Sequence, residues 1–312
     1  MLLTIAIEIR LIPFLTSRAK QPIYEDGPKW HLSKSGTPTM GGVAFLIAIS
    51  AAILFSGIAL ARAENKEDLL TLLLCQVYAI LNATIGILDD LKKLKLNRNK
   101  GLSAKAKFSL QLILAIIFLI ARSLLVTNPT TITFSFGSFD LNFLYYPIAL
   151  IILLGIINCA NLTDGIDGLA TSVSFAIGVS LLYISSAFNT ETSVLASAII
   201  GASVGFLFFN LHPAKIFMGD TGSLYLGALI SSGAFMLKNP LIIIFIAGVY
   251  VLEGCSVILQ VMFFKITKRR LFKMAPIHHH LEQCGWSENR ICIVAILLSL
   301  IFAIPAYIFY LP

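Results

Sequence analysis

Apolar runs of about 18 to 25 residues recur along the whole of this sequence, each long enough to cross a hydrocarbon core about 30 Å thick. No other feature limits so firmly what the chain can fold into. About ten candidate spans begin near Leu2, Val43, Leu69, Ala106, Phe143, Leu169, Ser193, Leu224, Leu241 and Ile291. With 57% hydrophobic residues, 12% charged residues and a mean hydropathy of +0.88, a water-soluble globular chain is excluded. The sequence reads as an all-α polytopic membrane protein, a single integral domain over residues 1–312 with no soluble second domain. The run from Leu2 is the weakest. It is short and holds Glu8 and Arg10, and without a small-residue cleavage pattern after it, it reads as an uncleaved span, not a signal peptide.

Lysine and arginine set the orientation, because cytoplasmic loops retain positive charge. The odd-numbered loops carry Arg18, Lys20, Lys29 and Lys34, then Lys92, Lys93, Lys95, Arg98 and Lys100, then Lys215, and last Lys265, Lys268, Arg269, Arg270, Lys273 and Arg290. The even loops hold little beyond Arg62, Lys66 and Lys238. Ten spans with cytoplasmic odd loops put both termini outside. The net charge of +7 is then a membrane signature, and with no recognition module beside it no nucleic-acid partner is expected. Cys75, Cys159, Cys255, Cys284 and Cys292 show no disulfide or metal spacing and read as small packing residues. In one outside loop, ITFSFGSFDLNF (132–143) alternates apolar and polar residues about Gly137-Ser138, which predicts a short external β-hairpin.

The unusual polar segments all fall on the cytoplasmic side. SKSGTPTMGG (33–42) lies in the first such loop, LDDLKKLK (88–95) opens the second and NLTDGIDG (161–168) forms the third. FNLHPAKIFMGDTGS (209–223) and APIHHHLEQCGW (275–286) follow in the fourth and fifth. Solvated loop tips would show no such sidedness, so one composite site is the economical reading.

Asp89-Asp90 beside Lys92-Lys93 is what phosphate chemistry with a divalent metal would use, since hard oxygen ligands suit Mg²⁺; an ordinary i, i+3 salt bridge at a helix end reads as well. In FMGDTGS, glycines flank Asp220 so that backbone can approach phosphate while the carboxylate reaches a metal, though an Asx-capped turn has the same composition. Asn158, Asn161, Asp164 and Asp167, three apart, make a polar strip at membrane depth, with a helix–helix seam as the alternative for Asn158. His278, His279 and His280 point in different directions if helical, which disfavours one shared zinc and favours phosphate recognition by at least one of them. Glu253, mid-span, either faces a lipid groove or makes an interhelical hydrogen bond.

In this order and spacing, DGPKWHLSKSGTPTMGG, DDLKK, NLTDGIDGL, NLHPAKIFMGDTGSL and PIHHHLE resemble the phospho-N-acetylmuramoyl-pentapeptide transferases, within the polyprenyl-phosphate N-acetylhexosamine-1-phosphate transferases, from Asp26 to Pro312. The resemblance implies transfer of phospho-MurNAc-pentapeptide from UDP-MurNAc-pentapeptide to undecaprenyl phosphate, with release of UMP and with Mg²⁺ as cofactor, at the cytoplasmic face of a bacterial inner membrane. It implies Asp89 and Asp90 serving the lipid phosphate, one as base or nucleophile, Asp220 as metal ligand, and His279 among the catalytic residues. Lys34, Asn158, Asn161, Asp164, Asp167, Asn210, His278 and His280 would bind or orient the nucleotide sugar, with Phe217 stacked on uracil. Partners are the two substrates and membrane lipid, with a homodimer left open. A sister enzyme using UDP-GlcNAc is the nearest alternative, and a transporter is the alternative from another class.

Overall fold

The computed structural model describes residues 1–19, 34, 36–60, 66–96, 101–186, 190–237 and 239–310. Much of the loop after the first helix, including Lys20 and Lys29, lies outside the described residues. Thirteen α-helices are found among the described residues: α1 (Leu2–Thr16), α2 (Gly42–Leu60), α3 (Lys66–Leu96), α4 (Ala104–Leu125), α5 (Tyr145–Thr163), α6 (Leu169–Ser185), α7 (Thr190–Asn210), α8 (Gly219–Gly233), α9 (Ile243–Ile246), α10 (Gly248–Thr267), α11 (Ile277–Gln283), α12 (Glu288–Phe302) and α13 (Ile304–Tyr310).

Among the described residues, six helical stretches are long and apolar enough to cross a bilayer: 69–96, 104–125, 142–163, 190–210, 248–267 and 288–309. Two shorter apolar helices, Gly42–Ile58 and Leu169–Ser185, accompany them. The molecule is an all-α membrane protein turned inside out relative to a soluble one. α4 exposes Ile113, Ile117, Ile120 and Leu124 while burying Gln111 and Arg122, and α10 exposes Ile258, Met262 and Ile266 while burying Glu253. Lipid tails accept the first set, and hydrogen bonds inside the bundle must satisfy the second.

The centre of the bundle is α8, buried from Thr221 through Gly233 and packed against α2, α3 and α5. Its sequence, GDTGSLYLGALISSG, is rich in small residues, which let helix backbones approach closely where no water is available to drive association. A side chain at Gly42 would overlap the backbone of Gly222, and one at Gly86 would overlap the carbonyl of Asp220. The site-bearing end of α8 is thus held against α2 and α3 by contacts that only glycine permits.

Three boundaries differ from the sequence reading. The Asp89-Asp90 segment does not open a loop: α3 continues to Leu96, since no glycine or proline interrupts DDLKKLKL. The span expected from Leu241 starts as a 3-10 turn, Pro240–Ile242, capped by Asn239; after α9 it breaks at Ala247, and α10 begins at Gly248, which lies against Phe302. The hairpin pairs β1 (Thr131–Phe134) antiparallel with β2 (Gly137–Asp140), so its turn is Ser135-Phe136, two residues before the expected pair. Clustering of Phe134, Phe136 and Phe139 rings fixes that register.

Candidate active site

Asp89 and Asp90 stand side by side on α3 but face different partners. Asp90 is turned to the N-terminus of α8, where it accepts the N–H groups of Asp220 (3.1 Å) and Thr221 (2.9 Å) and the Thr221 hydroxyl (2.7 Å). A carboxylate there satisfies helix-end donors and complements the helix dipole. Gly219, at φ +69°, leaves room for it: a side chain would press on Asp90 Oδ2. Asp89 accepts the Leu102 N–H (2.6 Å) and pairs with Lys93 (2.7 Å).

Asp220 is the meeting point. Its Oδ2 receives Lys93 (2.9 Å) and Lys107 (2.8 Å), and its Oδ1 receives Asn161 Nδ2 (2.8 Å), which also bonds Ser223. Ligand oxygens of Asp89, Asp90 and Asp220 lie within 4.8 Å of one another. An all-carboxylate, oxygen-only set is the chemistry a hard divalent ion takes, and the two ammonium groups already crowding Asp220 mark where positive charge is wanted. These residues fit a metal ion, with Asp220 the ligand least committed to backbone donors.

The turn between α5 and α6 carries the second half. Asn161 is on the last turn of α5, and Asp164 follows it. Burial, and then the like charges of Asp220 and Asp90, push the Asp164 carboxyl well above the usual carboxylate range. Asp167 is held on every side: Lys34 Nζ (2.7 Å) and His212 Nδ1 (2.9 Å) reach its carboxylate, as does the Ala214 N–H (3.1 Å). Glu288, in the first turn of α12, completes the array by accepting Lys34 (2.7 Å), the Asp167 N–H (2.7 Å) and His212 (3.2 Å). The like charge of Asp167 adds to the same upward push on Asp164, and Lys93 opposes it.

The SGTPTMGG segment earns its place through backbone pairing: Phe217 N–H bonds the Pro38 carbonyl (2.9 Å), and the N–H groups of Gly41 and Gly42 bond the carbonyls of Phe217 and Met218 (both 2.9 Å). Phe217, half-buried, is thereby fixed three residues before Asp220.

The histidine run is divided among three partners. His278, fully buried, pairs through Nδ1 with Glu253 (3.1 Å) and packs on Gly165, whose missing side chain makes the space. His279 pairs with Glu282 (2.6 Å). His280 turns away and accepts the Lys273 N–H (3.2 Å). Asn158 donates to Gln111 on α4 (3.0 Å), a helix–helix seam, and Asn210 joins Thr171 to the Ile216 carbonyl. The structure therefore brings together Lys34, Asp89, Asp90, Asn161, Asp164, Asp167 and Asp220, while Asn158, Asn210 and His280 engage neighbouring chain.

Sequence reasoning missed Lys107, His212 and Glu288. His212 lies inside the quoted NLHPA segment and was within reach. Lys107, with Lys105, reads as an ordinary basic flank at the start of an apolar helix, and Glu288 reads as an ordinary dipole-favoured acid in a first helical turn, so neither carries a local signal.

Comparison with known proteins bears on this geometry. The model for glycosyl transferase family 4 matches residues 70–238, and the phospho-N-acetylmuramoyl-pentapeptide-transferase signature 1 matches residues 34–46. A phospho-N-acetylmuramoyl-pentapeptide-transferase of Clostridioides difficile (strain 630) is 40% identical over 307 residues, covering 97% of this chain and 92% of the relative. The protein of that name from Shouchella clausii (strain KSM-K16) is 44% identical over 300 residues (94% and 90%), and that of Geobacillus kaustophilus (strain HTA426) 42% over 305 (97% and 93%).

Proposed function

The chain belongs to the phospho-N-acetylmuramoyl-pentapeptide-transferase family, and from that premise we propose that its two carboxylate clusters are the acceptor and donor halves of one active site. It is a phosphoglycosyl transferase that makes the first lipid-linked precursor of peptidoglycan. The donor is UDP-MurNAc-pentapeptide and the acceptor undecaprenyl phosphate. All of residues 1–312 acts as one integral domain of a bacterial inner membrane, crossed about ten times, with the site open to the cytoplasm.

The observation that carries this reading is the convergence of Lys93, Lys107 and Asn161 on Asp220 beside Asp89. Two anions must meet, the lipid phosphate and the donor diphosphate. An acceptor phosphate oxygen forms a bond to the sugar-bearing phosphorus, and the bond from that phosphorus to the oxygen of UMP breaks. Lys93 and Lys107 offset the charge that gathers on the departing UMP, which is most of what phosphoryl transfer needs. Asp89, free of the capping task that occupies Asp90, serves the acceptor phosphate. Asp220 with the neighbouring carboxylates would hold Mg²⁺, which would supply Lewis acidity toward the diphosphate. Lys34, Asp167 and Asn161 orient the nucleotide sugar, with Phe217 placed to stack on the base.

The deciding experiment offers purified protein undecaprenyl phosphate with either UDP-MurNAc-pentapeptide or UDP-GlcNAc. A lipid-linked product from the muramoyl donor is expected. Product from UDP-GlcNAc alone would move the chain to the sister activity.

A further inference from the structure

Beside the array of Lys34, Asp167, His212 and Glu288 the surface sinks into a cavity of 270 Å³, lined by His212, Glu282, Gln283, Trp286, Ser287 and Glu288. Pockets that hold a whole small ligand span roughly 300–1,000 Å³, so this one suits a single moiety of a larger molecule. Two of its walls, His212 and Glu288, belong to the array itself and meet at 3.2 Å. Whatever enters is therefore contiguous with a ligand held by Lys34 and Asp167.

The lining defines the chemistry of the guest. Its acids already have partners within the protein, Glu282 in His279 (2.6 Å) and Glu288 in Lys34 (2.7 Å). The histidine, glutamate, glutamine and serine side chains around it do not suit a lipid tail. What remains open to a guest is the half-buried ring of Trp286, the exposed Gln283 amide and Ser287. At the rim stands Arg290, its guanidinium 4.0 Å from the Trp286 ring centroid. An aromatic face, neutral hydrogen-bonding groups and one cation match a short run of amides ending in a carboxylate. The platform is well held: Trp286 N–H bonds the Leu281 carbonyl (3.1 Å) at the end of α11, and Ser287 caps α12.

We propose that this cavity is the subsite for the peptide that the donor sugar carries, with Trp286 packed along the amides and Arg290 meeting a carboxylate. The assignment rests on the donor reading above and adds to it where the peptide goes.

Calorimetry without lipid acceptor tests it, using UDP-MurNAc-pentapeptide, UDP-MurNAc and UMP on the wild type, Trp286→Ala and Gln283→Trp, the last filling the cavity from an exposed position. The wild type should bind the peptide-bearing donor about tenfold more tightly than UDP-MurNAc. In both variants that difference should shrink to within about twofold while UMP affinity holds, the latter also certifying the fold. Persistence of the difference in either folded variant, or its absence from the wild type, overturns the proposal. If Trp286→Ala does not fold, Gln283→Trp decides. Failure of the reaction reading looks different: the wild type would then make lipid product from UDP-GlcNAc and not from the muramoyl donor.

Discussion

Asp89 and Asp90 show how much a dipeptide conceals. The sequence presents paired carboxylates, but only the packing of α3 on α8 separates a helix cap from a group beside Asp220 and Lys93. Asp220 is the residue on which the metal assignment turns. In Asp220→Asn a neutral amide replaces a hard anionic ligand, so turnover should fall by on the order of 10² or more and no longer respond to added Mg²⁺. Activity assayed across a Mg²⁺ titration, with protein abundance checked, measures this; near-normal turnover at ordinary Mg²⁺ would remove Asp220 from the metal site. Glu288 calls for a subtler change. Glu288→Gln keeps an acceptor for the Asp167 N–H but removes the charge shared with Lys34 and His212. Donor KM should rise about tenfold, the scale of one charge-assisted hydrogen bond, with kcat within about twofold. A fall in kcat at unchanged KM would place Glu288 in the chemical step instead.

At the scale of elements, the helices were legible wherever apolar length alone decided them, as in α4 and α7. Boundaries set by tertiary contact were not. Nothing in DDLKKLKL says whether lysines after a span continue a helix or leave it, and the break at Ala247 falls where Gly248 meets Phe302 of another helix, a contact between distant parts of the sequence. The histidine run was ambiguous for a related reason: which face each ring presents depends on α11 docking beside α10, and that docking gives His278 to Glu253. Glycine contacts offer a direct test of this packing. Gly86→Ala would drive a methyl into the Asp220 carbonyl, forcing α8 away from α3, whereas Gly155 on α5 has nothing within 4 Å of the same added atom. Gly86→Ala should lose about 1–3 kcal/mol and most activity, as overpacked sites do. Gly155→Ala should be neutral or stabilising by up to about 1 kcal/mol, since alanine favours helix. Thermal unfolding in detergent together with turnover separates the two, and equal behaviour would contradict the close α3–α8 approach.

For the molecule as a whole, the sidedness inferred from lysine and arginine meets a geometric counterpart. Lys107, near the start of α4, reaches Asp220, while Arg122, near its end, bonds Tyr145 and the Pro129 carbonyl beside the hairpin. Fifteen residues of helix separate them, about 22 Å at 1.5 Å per residue, so the carboxylate cluster at Asp220 and the hairpin occupy opposite ends of the bundle. The hairpin's end is tied down independently, through Ser135 to Phe309 and Asn239 to Thr133. If positive charge keeps the site end in the cytoplasm, the membrane separates Ser103 and Ser287 from Ser138. Single cysteines at these positions, in a background lacking the five native thiols, should divide accordingly in intact cells treated with a membrane-impermeant thiol reagent. Ser138→Cys, on an exposed strand, should label. Ser103→Cys and Ser287→Cys should label only after the cells are opened; each loses a helix cap worth about 1 kcal/mol, too little to unfold the bundle. The reverse pattern would turn the whole bundle over and leave the carboxylate clusters facing away from any cytoplasmic nucleotide sugar, which the proposed donor chemistry could not survive.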